Sequence, residues 1–450
     1  MKKLFALLGA ALLLASCALA QESEQIGKYT EMPYHLRVSQ RMEEGKLGKY
    51  QEILRTYPDT VNDAIDGEIR QLVDAMAERS VALMPEGSKE EMATLDVGAV
   101  ISRTGTSWMS FTTLAQITYE REITHMEADI RVYDVETGKR ITLGDVVPAG
   151  SEAWGMLASA VREQLTAAFP GREPDAAALD ALCSEEALRE AAFTLGGVKM
   201  TLTYRADSVY PDRHNTLLHV TLYYPDIRDY MTEQAYAQTD NSRFAMVALT
   251  YDDGGGGKYT RRLLNELRNH GATATFFLVG RQIRNNHYNL QRQQNAGYSL
   301  QYHSYTHPYG HKVRYDQAFE EKAMFEEELS SIVGVLPTLM RAPGGKEEKY
   351  ERWEIGYPLM HWSLASTDSG NPHVDTIASR VIRYARDGDI VLLHDINDQV
   401  NRYSEKILDN FNRCGMMTVT VEELYARDGT VLEANKTYYS PRTDANYTEE

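Results

Sequence analysis

Two adjacent carboxylates, Asp252 and Asp253, end an apolar run that begins at Phe244, and four glycines follow them. Two histidines in the pattern H-x-x-x-H, His303 and His307, come later in the chain, after another predicted strand. Carboxylate oxygens and imidazole nitrogens are typical ligands of Zn²⁺ and similar divalent ions. Asp253, His303 and His307 would leave room for a water and a substrate oxygen, the open arrangement of a catalytic site. These residues predict a metal centre with a second carboxylate beside it.

Hydrolysis at such a centre also needs a general base and a general acid. Asp252 is the candidate base, and Arg341 could pair with it and keep it ionised. His394 is the candidate acid, at the end of an apolar segment, and Asp368 would favour its protonated form. Leu392 would line an apolar pocket small enough for an acetyl methyl group. The five residues therefore predict acid–base hydrolysis beside the metal.

Other interpretations of these residues fit the sequence less well. Surface histidines also occur at H-x-x-x-H spacing, so that pattern alone is weak. A Walker phosphate loop would need glycine at 252 and serine or threonine at 259, where the chain has Asp252 and Tyr259. The chain has no G-x-S-x-G elbow, and the paired acids lack the separation that glycosidase carboxylates need.

The second half of the chain alternates predicted strands and helices. The predicted strands are 244–250, 273–279, 298–302, 339–341, 359–363, 389–394 and 417–420, and the predicted helices are 258–270, 281–294, 316–332, 374–386 and 403–413. Repeated units of this kind indicate a parallel sheet covered by helices. Seven strands could form an open doubly wound sheet or an incomplete barrel, with the site at the carboxyl ends of the strands. Asp252, His303, Arg341 and His394 all fall at or just after such ends.

The first half of the chain favours an α+β domain, with strands and helices in blocks. A helical apolar stripe runs through 60–76, and the predicted strands are 99–101, 108–119, 128–133, 198–204 and 217–224. Its histidines His125 and His219 are isolated, so we expect them to be satisfied or exposed. The polar segment 235–242 is the predicted domain boundary.

The composition indicates the class of protein, and the N-terminal segment indicates its location. The chain has 450 residues, of which 43% are hydrophobic and 25% charged, as in soluble globular proteins. A net charge of −18 argues against a nucleic-acid partner. Residues 1–20 are typical of an export signal, with a basic start, a short apolar core and a lipobox-like segment ending at Cys17. We expect Cys17 to be lipidated, with signal cleavage after Ala20 as the alternative. Cys183 and Cys414 are expected as two buried thiols, or else one disulfide.

Four segments resemble the motifs of the polysaccharide deacetylases of carbohydrate esterase family 4. They are Thr-Tyr-Asp-Asp-Gly at 250–254, His-Ser-Tyr-Thr-His-Pro at 303–308, Arg-Ala-Pro-Gly-Gly at 341–345 and Leu-Leu-His-Asp at 392–395. The resemblance covers residues 243–433 and implies a distorted seven-stranded (β/α) barrel, in agreement with the strand count. It implies the same residue roles: Asp252 as base, Asp253, His303 and His307 as ligands of zinc or a similar divalent ion, Arg341 as partner of the base, His394 as acid and Asp368 as partner of the acid.

The chain departs from the family pattern at substrate-facing positions. The family usually has an aromatic residue at 344, whose backbone N–H helps to hold the oxyanion; Gly344 keeps the N–H and loses the wall. Trp362 is a further candidate substrate contact. In the segment that it begins, Ala365 replaces an Asp that is usual in the family, and Ser369 replaces a usual Trp. These departures put substrate choice in question more than the chemistry.

The first half, over residues 30–230, resembles an extracytoplasmic domain of lysozyme-sensing anti-sigma factors that also precedes some peptidoglycan deacetylases. The segments at 133–145 and 223–227 carry this resemblance. It implies that lysozyme or a wall fragment could bind there.

The sequence thus predicts an exported lipoprotein facing the cell wall or periplasm, bound to the membrane through its lipid only. Its parts are a signal peptide (1–20), an α+β accessory domain (21–240), a deacetylase domain (241–433) and a C-terminal tail (434–450). Its predicted activity is metal-dependent removal of N-acetyl groups from cell-wall glycan, most simply peptidoglycan. The alternatives are an O-acetyl esterase on xylan or another polysaccharide, and a non-catalytic sensor of lysozyme or wall fragments.

Overall fold

The computed structural model describes residues 39–444, except for 241, 243, 255, 256, 285, 309–311 and 371. The predicted export signal, Cys17 and nearly all of the predicted tether at 21–40 lie outside the described residues. Within them, no helix has both the length and the apolar character needed to cross a membrane. Cys183 and Cys414 are each half-buried, and the described part of the chain contains no disulfide.

The N-terminal domain is built on a six-stranded sheet with a helix across one face. Its elements are β1 (Ser39–Gly48), β2 (Gln51–Asp59), α1 (Asp63–Val81), β3 (Ala93–Arg103), β4 (Trp108–Tyr119), β5 (Glu122–Asp134) and β6 (Arg140–Ile141). The strands lie in chain order, and only β2 and β3, which α1 connects, run parallel. Asn62 caps α1 by accepting hydrogen bonds from the N–H groups of Ala64 and Ile65. The β1–β2 hairpin was not predicted, because its strands carry many charged residues.

A second, smaller layer completes this domain. It contains α2 (Leu143–Val146), α3 (Ala153–Ala167), α4 (Ala176–Leu182), α5 (Glu185–Arg189), β7 (Phe193–Leu195), β8 (Lys199–Arg205), β9 (Leu217–Tyr223), α6 (Tyr224–Ile227) and α7 (Glu233–Gln238). The three strands form an antiparallel sheet, so blocks of strands and helices occur as expected. His219 is satisfied, between the Thr203 hydroxyl and the Gln294 carbonyl. The first half of the segment predicted as a polar hinge, 235–238, belongs to α7, and Gln238 at its end contacts Thr106 and the Ser107 backbone.

The C-terminal half forms parallel strands surrounded by helices. Its elements are β10 (Met246–Asp252), α8 (Gly257–Asn269), β11 (Thr275–Leu278), α9 (Gly280–Ile283), α10 (His287–Asn295), β12 (Ser299–Tyr302), α11 (Tyr315–Val333), α12 (Glu347–Arg352), β13 (Leu359–Met360), β14 (Leu364–Ala365), α13 (Val374–Tyr384), β15 (Asp389–His394), α14 (Val400–Cys414), β16 (Met417–Val419), α15 (Val421–Ala426), β17 (Thr437–Tyr438) and α16 (Pro441–Asp444). The last two elements lie in the predicted C-terminal tail, where β17 pairs with β13.

The strand order explains the distorted shape of this half. The main path is β12-β11-β10-β15-β14. On the same edge of β10, β16 pairs with the amino-terminal half of the strand and β11 pairs with its carboxyl-terminal half. The strand predicted at 339–341 is only a bridge at Met340, which links Tyr302 to Leu359. The strand predicted at 359–363 is split into β13 and β14. The bridge continues the sheet from β12 to β13, and we call this incomplete ring of parallel strands the barrel.

Alternation along the strands decides which side chains reach the interior. Val247, Leu249 and Tyr251 on β10 pack outward against the helices. Thr250 and Asp252 alternate with these residues, so they point inward and lie on the same face. On β15 the facing partners are Leu392 and His394, respectively. Asp252 and His394 therefore meet at the carboxyl ends of two neighbouring strands.

The two halves share one of the hydrophobic cores. Ile101 and Phe111 of the N-terminal sheet belong to the same cluster as Met246, Ile390 and Met417 at the lower end of the barrel. The amino ends of the barrel strands are thus covered by the N-terminal domain, and the carboxyl ends are left for the site.

A buried ion cluster lies at the same junction. Asp96 on β3 accepts hydrogen bonds from Arg268 of α8 and Arg292 of α10, and all three residues are at least nine-tenths buried. Burial raises the pKa of Asp96, but the two guanidinium groups outweigh burial and hold that pKa below its usual range. Three elements from both halves are therefore tied together by one carboxylate.

Candidate metal and catalytic centre

Three predicted ligands converge at the carboxyl ends of the strands. The ligand atoms of Asp253, His303 and His307 all lie within 4.8 Å of one another. Asp253 Oδ1 lies 3.4 Å from Nε2 of His303 and 3.1 Å from Nε2 of His307. The structure therefore brings together a carboxylate and two imidazoles as one potential metal site.

The backbone around these ligands is unusual. Asp253, Ser304 and His307 are not glycines, and yet they have φ values of 74°, 64° and 56°. Such left-handed conformations carry strain and tend to occur at functional sites. The turn after His303 is held by buried Glu321 of α11, whose Oε2 accepts hydrogen bonds from the N–H groups of Tyr305 and Thr306. Glu321 therefore positions the loop that carries His307.

The protonation pattern of His303 suits a bound cation. Its Nδ1 lies 2.8 Å from the Arg341 carbonyl oxygen and donates to it, so in the neutral ring Nε2 carries a lone pair. In that neutral form the lone pair faces Asp253 Oδ1, which lies 3.4 Å from Nε2. Two acceptors so placed repel each other unless a proton or a cation lies between them. The carboxylate and the two imidazoles therefore fit as ligands of a divalent ion. Two histidines with one carboxylate are a ligand combination that is typical of zinc.

The charges of the cluster support this fit. Burial raises the pKa of Asp253, but His303 and His307 outweigh burial and hold that pKa well below its usual range. Burial lowers the pKa of His303, but the carboxylates of Asp252 and Asp253 outweigh burial and raise it. The two carboxylates thus favour positive charge at His303.

Asp252 is buried and firmly oriented by Arg341. Arg341 Nη1 donates to Asp252 Oδ1 at 2.7 Å and to Thr250 Oγ1 at 2.7 Å. The guanidinium is fully buried and also donates to the carbonyls of Met360 and His361. With Oδ1 occupied, Oδ2 lies 3.7 Å from His303 Nε2. Asp252 therefore presents one oxygen to the ligand cluster, as a base beside a metal would.

His394 forms a second acid–base pair, with Asp368. His394 Nδ1 lies 2.8 Å from Asp368 Oδ1, and the His394 N–H donates to Asp368 Oδ2 at 2.7 Å. Burial lowers the pKa of His394, but the hydrogen bond and charge of Asp368 outweigh burial and raise it to about 9. Tyr403 of α14 and Ser366 also contact the Asp368 carboxylate. The pair holds a protonated imidazole near neutral pH.

The remaining predicted contacts are Leu392, Gly344 and Trp362. Leu392 lies two residues before His394 on β15, on the same face of the strand, and is buried. Gly344 is exposed, and a Cβ added to it would meet nothing within 4 Å. The Trp362 ring centroid lies 5.8 Å from Arg341 Cζ. Leu392 and Trp362 thus lie near the group formed by Asp252, Arg341 and His394, and Gly344 follows Arg341 by three residues.

Sequence reasoning missed the residues that hold these groups in place, chiefly Glu321, Tyr403 and Thr250. One signal was present: Glu321 falls on the apolar stripe of its helix, between Ala318 and Phe325, where a carboxylate needs partners.

Gly254 is required by a close approach, which gives a testable prediction. A Cβ at this position would lie 1.7 Å from Oδ1 of buried Asp395. We expect Gly254→Ala to force a backbone shift next to Asp253, costing about 1–3 kcal/mol of stability, and to weaken metal binding. Thermal melting and the bound-metal content measure both effects. Gly155→Ala is the control, because its Cβ would meet nothing within 4 Å in α3; equal behaviour of the two variants would contradict the prediction.

Comparison with known proteins agrees with this geometry. Residues 239–355 match the polysaccharide deacetylase family. The chain is 34% identical over 196 residues to a peptidoglycan-N-acetylglucosamine deacetylase of Bacillus cereus, covering 40% of this chain and 87% of that protein. It is 28% identical over 320 residues to the peptidoglycan-N-acetylglucosamine deacetylase PgdA of Listeria monocytogenes, covering 70% of this chain and 67% of that protein.

Among solved structures, the peptidoglycan deacetylase PdaC from Bacillus subtilis matches with a TM-score of 0.41 and 26% identity, over 42% of this chain and 93% of that one. The identity to the Bacillus cereus enzyme over nearly its whole length, together with the matched family region, is sufficient for an assignment. The chain belongs to the polysaccharide deacetylase family and is a hydrolase acting on carbon–nitrogen amide bonds.

Proposed function

We propose that this protein removes N-acetyl groups from amino sugars of peptidoglycan in a metal-dependent reaction. The observation that carries the proposal is the juxtaposition of the three-ligand cluster with two separate acid–base pairs, Asp252–Arg341 and His394–Asp368. One pair suits proton removal and the other proton delivery, which amide hydrolysis requires on opposite sides of the scissile bond.

The proposed roles follow from the contacts of each residue. Asp253, His303 and His307 would hold the divalent ion, most simply Zn²⁺, which when bound supplies a Lewis acid that polarises a carbonyl and lowers the pKa of water. Asp252 accepts the proton of the attacking water through the oxygen that Arg341 leaves open. His394 donates a proton to the leaving nitrogen. Gly344 donates its exposed N–H to the developing oxyanion.

The nature of the substrate is inferred from the relatives. Two of them, from Bacillus cereus and Listeria monocytogenes, are named as peptidoglycan-N-acetylglucosamine deacetylases. The alignment with the Listeria protein spans 320 residues, more than the barrel half contains, so it reaches into the N-terminal domain. An exported lipoprotein anchored through Cys17 would work next to this substrate, and its N-terminal domain could contact lysozyme or wall fragments.

The direct test is release of acetate by the zinc-loaded chain without its export signal. The substrates are N-acetylated peptidoglycan, an N-acetylglucosamine oligomer and O-acetylated xylan. Release from peptidoglycan supports the proposal, and release from xylan alone would favour an O-acetyl esterase. No release from any substrate, with metal shown to be bound, would overturn it.

The pH dependence of the reaction offers a separate prediction. The pKa of His394 is raised to about 9, so its proton-donating form persists below that pH and is lost above it. Asp368→Asn removes the largest contribution that raises this pKa; the charges of Asp252 and Asp253 still raise it and burial still lowers it. We therefore expect the alkaline limb of kcat to move to lower pH by at least one unit. An unchanged limb would show that another group sets it.

A further inference from the structure

Three aromatic rings meet beside the Arg-Ala-Pro-Gly-Gly segment. The His361 and Trp362 rings are stacked, with centroids 3.9 Å apart and planes 14° apart. The Tyr439 ring meets His361 edge to face at 4.8 Å. A Cβ on Gly345 would lie 2.7 Å from His361 Cε1 and 2.8 Å from a carbon of the Trp362 ring. We call these three rings the aromatic platform.

The platform is held from several directions. His361 Nδ1 lies 3.2 Å from Oε1 of Glu347, a carboxylate that is only 4% exposed. The His361 N–H donates to the Tyr438 carbonyl at 2.7 Å, where β17 lies against β13. The Tyr439 N–H donates to Asp444. Rings that are positioned by the backbone in this way lose little freedom when a ligand binds to them.

The platform is also exposed and close to the base. Tyr439 is 40% exposed, the His361 side chain is 20% exposed and Trp362 is half-buried. The His361 carbonyl accepts a hydrogen bond from the Arg341 guanidinium, which also binds Asp252. Gly344, next to Gly345, is exposed, and a Cβ added to it would meet nothing within 4 Å. The platform is thus exposed to solvent and connected to the base through one side chain, Arg341.

We propose that His361, Trp362 and Tyr439 bind one pyranose ring of the glycan chain, next to the sugar whose acetyl group is removed. The C–H groups of a pyranose face carry partial positive charge and pack on the negative face of an aromatic ring. Tyr439 is the residue that follows β17, so the C-terminal segment supplies one of the three rings. The choice of a glycan rests on the proposed function.

The kinetic test uses the zinc-loaded chain and the N-acetylglucosamine tetramer. We expect Tyr439→Ala to raise KM about tenfold and to leave kcat unchanged, because the platform binds the ground state and the transition state of the substrate equally. Tyr439→Phe keeps the ring and should restore the affinity. Tyr384→Ala is the matched control, since Tyr384 is 48% exposed at the end of α13. Should Tyr439→Ala melt early, Tyr439→Leu replaces it, because leucine keeps apolar bulk without an aromatic face.

A binding measurement separates this proposal from the catalytic one. The Asp252→Asn variant is titrated with the same tetramer while tryptophan emission is recorded. The double variant, which carries both Asp252→Asn and Tyr439→Ala, is then titrated in the same way. Loss of the emission change on adding Tyr439→Ala supports the platform even if no acetate is ever released. Equal KM and equal emission changes for the Tyr439 and Tyr384 variants would overturn the proposal.

Discussion

Replacing Asp252 with asparagine is expected to lower kcat for acetate release by about 10²–10⁴-fold while the divalent ion stays bound. Asparagine keeps the shape of the side chain and can still accept from Arg341, but it cannot take a proton from water. The ligand cluster of Asp253, His303 and His307 remains intact. Single-turnover acetate release and the metal content per chain, measured on the same sample, provide the two readouts.

Asp253→Ala is the contrasting variant, because it removes a ligand oxygen and should lose both metal and activity. Thermal melting of both variants shows that they are folded. If Asp252→Asn instead loses the metal, Asp252 is a ligand and the division between the two acids is wrong. Asp252 Oδ2, at 3.7 Å from His303 Nε2, is close enough to make this outcome informative.

Replacing Asp96 with alanine is expected to lower the free energy of unfolding by about 3–5 kcal/mol, since it leaves buried arginines without their counter-charge. Arg268 and Arg292 both donate to Asp96, and each is less than one-tenth exposed. The arginines lie on helices of the barrel and Asp96 lies on the N-terminal sheet. We therefore expect the two halves to lose stability together, which denaturant unfolding followed by tryptophan emission would record.

Asp212→Ala provides the control for that experiment. Asp212 also pairs with an arginine, Arg172, but both side chains are largely exposed. Solvent screens such pairs, so little change in stability is expected. Similar stabilities of the Asp96 and Asp212 variants would show that the cluster is hydrated or dispensable. Separate transitions for the two halves would show that their shared core does not couple them.

The alternation of strands and helices in the second half was predicted from sequence because each unit carries its own signal. Short apolar runs mark β10, β12 and β15, and 3.6-residue periodicity marks α8, α11 and α14. The prediction failed at 339–341, where a single bridge at Met340 replaces the strand. The strand propensity of these residues does not predict this difference, because the geometry of the neighbouring strands decides how many residues can pair.

The grouping of the site residues was predictable for a similar reason. Parallel strands direct their carboxyl ends to one edge, so polar residues that follow apolar runs must meet there. The division of roles between Asp253 as ligand and Asp252 as base stays a prediction from the motif spacing. The supporting contacts of Glu321 and Tyr403 were not predictable, since each depends on how a helix is rotated against the barrel.

The sequence by itself therefore determined the alternating architecture, the residue types at the strand ends and the chemistry that they can perform, because these are properties of local pattern. Only the tertiary structure decided which oxygen of Asp252 is held by Arg341, which nitrogen of His303 faces Asp253, and that the N-terminal sheet shares a core with the barrel. These depend on distances between residues far apart in the chain. Such distances arise only when the apolar faces of all elements are buried together, and no local pattern specifies them.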